Sequence, residues 1–142
     1  MENKSGSRLS QLGLVVFAGC CSLLLGARAD AAPCNAGVCK AEVKVQSCEK
    51  GTMSVTPDPI PVPAPNNIEW TISTPGYVFT KGGIVIKGKG FTPKPGVTGN
   101  GKKFIVHDDH TDKRPDIKYA VYLTRTSDGV ACAAYDPFIN NN

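Results

Sequence analysis

Both histidines of this 142-residue chain lie in one short run, His107-Asp108-Asp109-His110-Thr111-Asp112, the only concentration of metal-capable side chains in the sequence. On a strand leading into a turn, His107, His110 and Asp108 form a three-ligand set suited to zinc or copper, since imidazole nitrogens with one carboxylate satisfy either ion. The same run also reads as a solvated polar turn. H-x-x-H lacks the i, i+4 helical spacing and the glutamate base of metalloproteases.

A second candidate is Gly96-Val97-Thr98-Gly99-Asn100-Gly101-Lys102, which matches the first seven positions of the phosphate-binding pattern G-x-x-x-x-G-K. Lys103 follows where a Ser or Thr should hold magnesium, and Pro93-Lys94-Pro95 precedes it where a buried strand should stand. A flexible Gly-rich hairpin loop is therefore expected there. Between Trp70 and His107 six lysines, Lys81, Lys87, Lys89, Lys94, Lys102 and Lys103, occur without one acid. Such a stretch can follow an anionic polymer. Aromatic residues for base stacking are few, with only Phe91 well inside it, so nucleic acid is disfavoured; an acidic glycan is the other partner, and solvated loops rich in Lys and Gly are the commoner origin of such a stretch.

Catalytic signatures are lacking. No serine sits in a G-x-S-x-G elbow, and both possible bases fall in the one polar run. Asp108, Asp109, Asp112 and Asp116 crowd one hydrophilic turn, where desolvation has little power to raise a carboxyl pKa to the value a general acid needs. No catalytic residue and no cofactor is assigned.

The elements that must position these groups read as strands. Val43 and Val45 alternate with Lys44 and Gln46; Ile68, Trp70 and Ile72 alternate with Glu69, Thr71 and Ser73; Tyr119, Val121 and Leu123 alternate with polar or small neighbours. Shorter candidates are Met53 to Thr56, Tyr77 to Thr80, Ile84 to Lys87, Lys103 to His107 and Gly129 to Ala133, separated by Pro-Gly, Gly-Gly, Asn-Gly and Asp-Gly turns. From Pro57 to Pro65 proline stands at every second position. Prolines of one parity can all face solvent on an edge strand while Ile60, Val62 and Ala64 donate to the neighbour.

The amino terminus sets the compartment. Lys4 and Arg8 precede an apolar run from Leu12 to Gly26, and Ala27-Arg28-Ala29 has the small-x-small pattern of a signal-peptidase site, so residues 1–29 are expected to be a cleaved secretory signal. The run is short for a membrane span, and no permanent anchor is expected. Phe17-Ala18-Gly19-Cys20 only faintly resembles a bacterial lipoprotein box, with Phe17 where Leu is usual. Cleavage removes Lys4, Arg8 and Arg28 along with Glu2, which lowers the net charge from +4 to +2. Charge of that size says nothing about partners.

Cys34, Cys39, Cys48 and Cys132 would remain, an even number in an oxidising compartment, and two disulfides are expected. Their spacing is too wide for the close pairs of a structural zinc site. Four cysteines allow three connectivities. The pairing we expect is Cys34 with Cys39, closing a small loop through Asn35-Ala36-Gly37, and Cys48 with Cys132.

The layout of a Trp-bearing strand (Ile68 to Ile72), an aromatic strand (Tyr77-Val78-Phe79), a long loop and a closing hairpin of Tyr119 to Leu123 with Gly129 to Cys132 resembles small secreted proteins with the cupredoxin-like sandwich. The resemblance spans about residues 41–139, and an immunoglobulin-like sandwich shares most of its motifs. It implies a Greek-key β-sandwich. The family's blue-copper site does not carry over, because Cys132 is followed by Ala133-Ala134-Tyr135-Asp136-Pro137-Phe138, without the His and Met such a site needs.

The expectation is thus one all-β domain over residues 30–142, disulfide-stapled and exported to a periplasmic or extracellular space. Its role is a non-enzymatic binding or structural one, with a protein or glycan partner. The rival reading is a periplasmic copper- or zinc-binding protein that uses His107, His110 and Asp108.

Overall fold

Alternation of apolar and polar residues places one face of each strand against a shared interior, and two such faces stacked together exclude water from both. The computed structural model describes residues 34–142. The proposed signal, its cleavage site and Cys20 lie outside the described residues. Nine strands follow in order: β1 (Val38–Ser47), β2 (Thr52–Thr56), β3 (Ile60–Pro61), β4 (Asn66–Ile72), β5 (Tyr77–Ile86), β6 (Phe91–Thr98), β7 (Lys103–Asp108), β8 (Ile117–Arg125) and β9 (Phe138–Asn140). They form a five-stranded sheet in the order β2-β1-β4-β7-β6 and a four-stranded sheet in the order β3-β9-β8-β5. The chain is a small β-sandwich.

The interior follows the alternation residue by residue. Val43 and Val45 of β1, Ile68, Trp70 and Ile72 of β4, and Phe104 and Val106 of β7 are buried from one sheet, and Ile117, Tyr119, Val121 and Leu123 of β8 meet them from the other. At the centre Trp70 Nε1 donates to the Tyr119 hydroxyl at 3.1 Å, with the rings 5.3 Å apart. That bond lets two large aromatic residues be buried without an unmet polar group. Burial holds the Tyr119 hydroxyl well above the usual tyrosine pKa.

Cys34 is bonded to Cys39 and Cys48 to Cys132. The second bridge joins the end of β1 to the segment after β8 across 84 residues, and in the chain-entropy picture a loop of that length contributes about 4 to 5 kcal/mol. Two intramolecular bridges fit an oxidising compartment. Among the described residues no helix is long and apolar enough to cross a membrane.

Strands depart from the sequence reading in five places. Tyr77 to Thr80 and Ile84 to Lys87 are one strand, β5, whose pairing with β8 is interrupted by a bulge between Phe79 and Ile84. Phe91–Thr98 forms β6 in spite of Pro93 and Pro95, because it lies at a sheet edge and a register shift between Pro93 and Gly96 takes up the lost donors. Gly129 to Ala133 contributes only an isolated bridge, Thr124 to Ala131, so no full hairpin closes the chain. In its place the terminal residues supply β9, which pairs with both β8 and β3. The proline-punctuated segment does lie at an edge, but its pairing is limited to Ile60–Pro61 and a bond from Val62 N–H to the Asn140 carbonyl.

Candidate functional site

At the end of β7 the pleat separates the residues that the sequence grouped. His107 faces outward and is exposed, whereas Asp108, its neighbour in the strand, points inward and is fully buried. The His107 ring donates from Nδ1 to the Asn67 side-chain oxygen, 3.1 Å away on β4. Asp108 turns one oxygen to the His110 backbone N–H at 2.8 Å, and its other oxygen has no hydrogen-bond partner among the described residues. His110 is buried in a left-handed conformation, φ 59°. Its Nε2 lies 2.9 Å from the Val62 carbonyl, which only accepts, so that nitrogen carries the proton. Its Nδ1 then accepts from the Lys113 ammonium. Both imidazole nitrogens are thereby engaged. Among the described residues no three His, Cys, Asp or Glu side chains are grouped so as to hold a metal ion. His107, His110 and Asp108 are not brought together as a ligand set.

The segment acts instead on its neighbour. Asp109 N–H donates to the Gly90 carbonyl at 3.0 Å, and Lys89 N–H donates to Asp112 Oδ2 at 3.2 Å. Arg114 grips Asp112 through two bonds, Nε to Oδ1 and Nη2 to Oδ2, both 2.8 Å, and gives a third from Nη2 to the Lys87 carbonyl at 3.1 Å. The β7–β8 connection is thus tied to the turn Lys87-Gly88-Lys89-Gly90 between β5 and β6. Arg114 holds the Asp112 carboxyl down to about 2, and Asp112 in turn raises the Arg114 guanidinium. Gly90 is required for this approach. Its φ is +79°, and a Cβ there would lie 1.8 Å from an Asp109 carboxylate oxygen.

Between the two tied segments opens a cleft of about 600 Å³ whose walls carry Lys87, Lys89, Lys113 and Arg114, with Thr111 and Asp112. Arg114 and Asp112 neutralise each other, the Lys113 ammonium is bonded to the His110 ring, and the Lys87 and Lys89 ammonium groups have no hydrogen-bond partner among the described residues. The cleft is therefore net positive. Its volume lies in the range typical of small-molecule sites, about 300 to 1,000 Å³.

The six lysines of the sequence take different roles. Lys102 donates to the Thr74 carbonyl at 3.3 Å and to the Tyr77 carbonyl at 2.7 Å, and Lys103 pairs with Glu69 at 3.1 Å. Lys81 lies in the bulged part of β5 and Lys94 in the bulge of β6, both exposed and away from the cleft lining. Only Lys87 and Lys89 reach the cleft. The G-x-x-x-x-G-K match is split between β6 and a tight turn in which Gly99, Asn100 and Gly101 all have positive φ. The expected Gly-rich hairpin is present, and the Lys102 ammonium is bonded to two carbonyls beside it.

Lys113 and Arg114 are the cleft residues the sequence reading passed over. Their signal was available in Thr111-Asp112-Lys113-Arg114, but nothing local shows that they face a turn more than twenty residues earlier. Elsewhere Arg125 pairs with Asp128 and with Glu49, and it holds both carboxyls below their usual range. That cluster pins the end of β8 to the β1–β2 turn. In comparisons with known proteins, no family model and no curated sequence matches this chain.

Proposed function

We propose that the protein is an exported, non-enzymatic β-sandwich module that binds an anionic group, such as that of an acidic glycan or protein, in the cleft of Lys87, Lys89, Lys113 and Arg114. The observation that carries this reading is that Lys87, Lys89 and Lys113, from two separate turns, line one concavity whose single carboxylate is already neutralised by Arg114. Ion pairing alone at exposed lysines is weak, so affinity requires several charges acting together, as a cleft provides.

The leader-like residues 1–29 and the two disulfides support export to a periplasmic or extracellular space. A cupredoxin-like scaffold without its copper is part of the same proposal, supported by the bonding of Cys132 to Cys48, which removes the thiolate a blue-copper site would use.

The test is a salt gradient on immobilised heparin, used as a dense polyanion. Retention that falls steeply as salt rises supports the reading. Passage without retention at low ionic strength contradicts it.

A further inference from the structure

Beside the cationic cleft lies a second concavity of about 220 Å³, set where β5 of one sheet runs along β6 of the other. Its walls are Ile84, Val85 and Ile86 from β5, Phe91 and Pro93 from β6, and Val106 from β7. None of those side chains is polar. Val85 is 47% exposed at its rim, between buried Ile84 and half-buried Ile86.

The two concavities share a wall. Ile86 and Gly88 line both. Gly88 is the narrow point: a Cβ there would come within 2.7 Å of the Phe91 ring, 2.9 Å of Ile117 and 3.1 Å of Asp112. A side chain at position 88 would therefore collide with Phe91, Ile117 and Asp112 on the wall that the apolar slot and the cationic cleft share.

We propose that slot and cleft form one binding site for an anionic amphiphile, with the charged head among Lys87, Lys89, Lys113 and Arg114 and the start of an aliphatic tail between β5 and β6. The proposal rests on the anion-binding reading above. Charge and shape select the occupant together. A fully hydrophilic anion leaves the slot wet, and a neutral lipid leaves the cations without a partner. Burying even a few methylene groups multiplies affinity, because each contributes a sizeable fraction of a tenfold step.

The experiment is a titration of the folded protein with decyl phosphate below its micelle-forming concentration, with inorganic phosphate and with decyl maltoside, followed through backbone amide NMR signals. Decyl phosphate is expected to bind at least tenfold more tightly than phosphate and to shift signals on both sides of the shared wall, at Val85, Phe91 and Val106 as well as at Lys89 and Lys113. Val85→Asn, at an exposed position that tolerates the change, is expected to remove most of that tenfold advantage and leave the affinity for inorganic phosphate in place. Equal affinity for phosphate and decyl phosphate overturns the amphiphile proposal and leaves the anion-binding reading standing. Equal affinity for decyl maltoside and decyl phosphate overturns it also, since the head would then go unrecognised. If neither phosphate moves any signal at the cleft, both readings fall.

Discussion

Two turns of this molecule have nearly the same composition and opposite uses. Gly99-Asn100-Gly101-Lys102-Lys103 joins β6 to β7, and Lys87-Gly88-Lys89-Gly90 joins β5 to β6. In the first, the ammonium groups are the fastening: Lys102 is bonded to the carbonyls of Thr74, before β5, and of Tyr77, at its start, and Lys103 to Glu69. In the second, the backbone is fastened from outside by Arg114, Asp112 and Asp109, and Lys87 and Lys89, whose ammonium groups have no hydrogen-bond partner among the described residues, line a cleft. Which atoms hold a turn in place decides whether its charges are structural or available. Lysine count alone does not.

The largest effect expected on this contrast comes from Gly90→Ala. The new methyl would collide with Asp109 and force a left-handed residue, so we expect a loss of about 3 kcal/mol of stability, measured by urea unfolding, together with loss of heparin retention. The clash also tests whether the cleft depends on the tie between the two connections. Lys102→Met comes next. It removes two charge-assisted bonds and leaves two partly buried carbonyls unmet, and it should cost about 2 kcal/mol with heparin retention unchanged.

A smaller effect follows from acid. Asp112 titrates at about 2 when folded and near 3.8 when unpaired, so the stability it contributes is present above about pH 4 and is lost as pH falls toward 2. The wild-type melting temperature should therefore drop over that window, and Asp112→Asn should flatten part of the drop. It should not flatten all of it. Glu49 and Asp128, both lowered by Arg125, titrate in the same acidic direction and remain in the variant.

Much of the fold was legible in the chain because its cause is local. Period-two alternation marks β1, β4 and β8, whose inward residues are the observed core. The parts that were not legible depend on partners distant in sequence. β6 carries two prolines and reads as loop until its edge position is known, and β9 is three residues whose only claim to be a strand is the pairing with β8 and β3. The candidate site shows the same division. Lys87 and Lys89 stand out in the sequence as charges, but the feature that separates them from Lys102 and Lys103 is a set of bonds across twenty or more residues. The His107 to Asp112 run misled for a related reason. Spacing brings its side chains close in sequence, and the pleat of β7 then turns His107 and Asp108 to opposite faces.

The most direct test exchanges charge at one turn and then at the other. Lys87→Gln with Lys89→Gln, and separately Lys102→Gln with Lys103→Gln, would be compared with the wild type for the salt concentration that elutes each from heparin, with folding checked by near-UV circular dichroism. The account predicts that the first pair elutes far earlier, with the salt slope reduced by about 1 to 2 and stability changed by less than about 0.5 kcal/mol, and that the second elutes with the wild type. Early elution of the second pair with the first unaffected, or an equal shift in both, would contradict it.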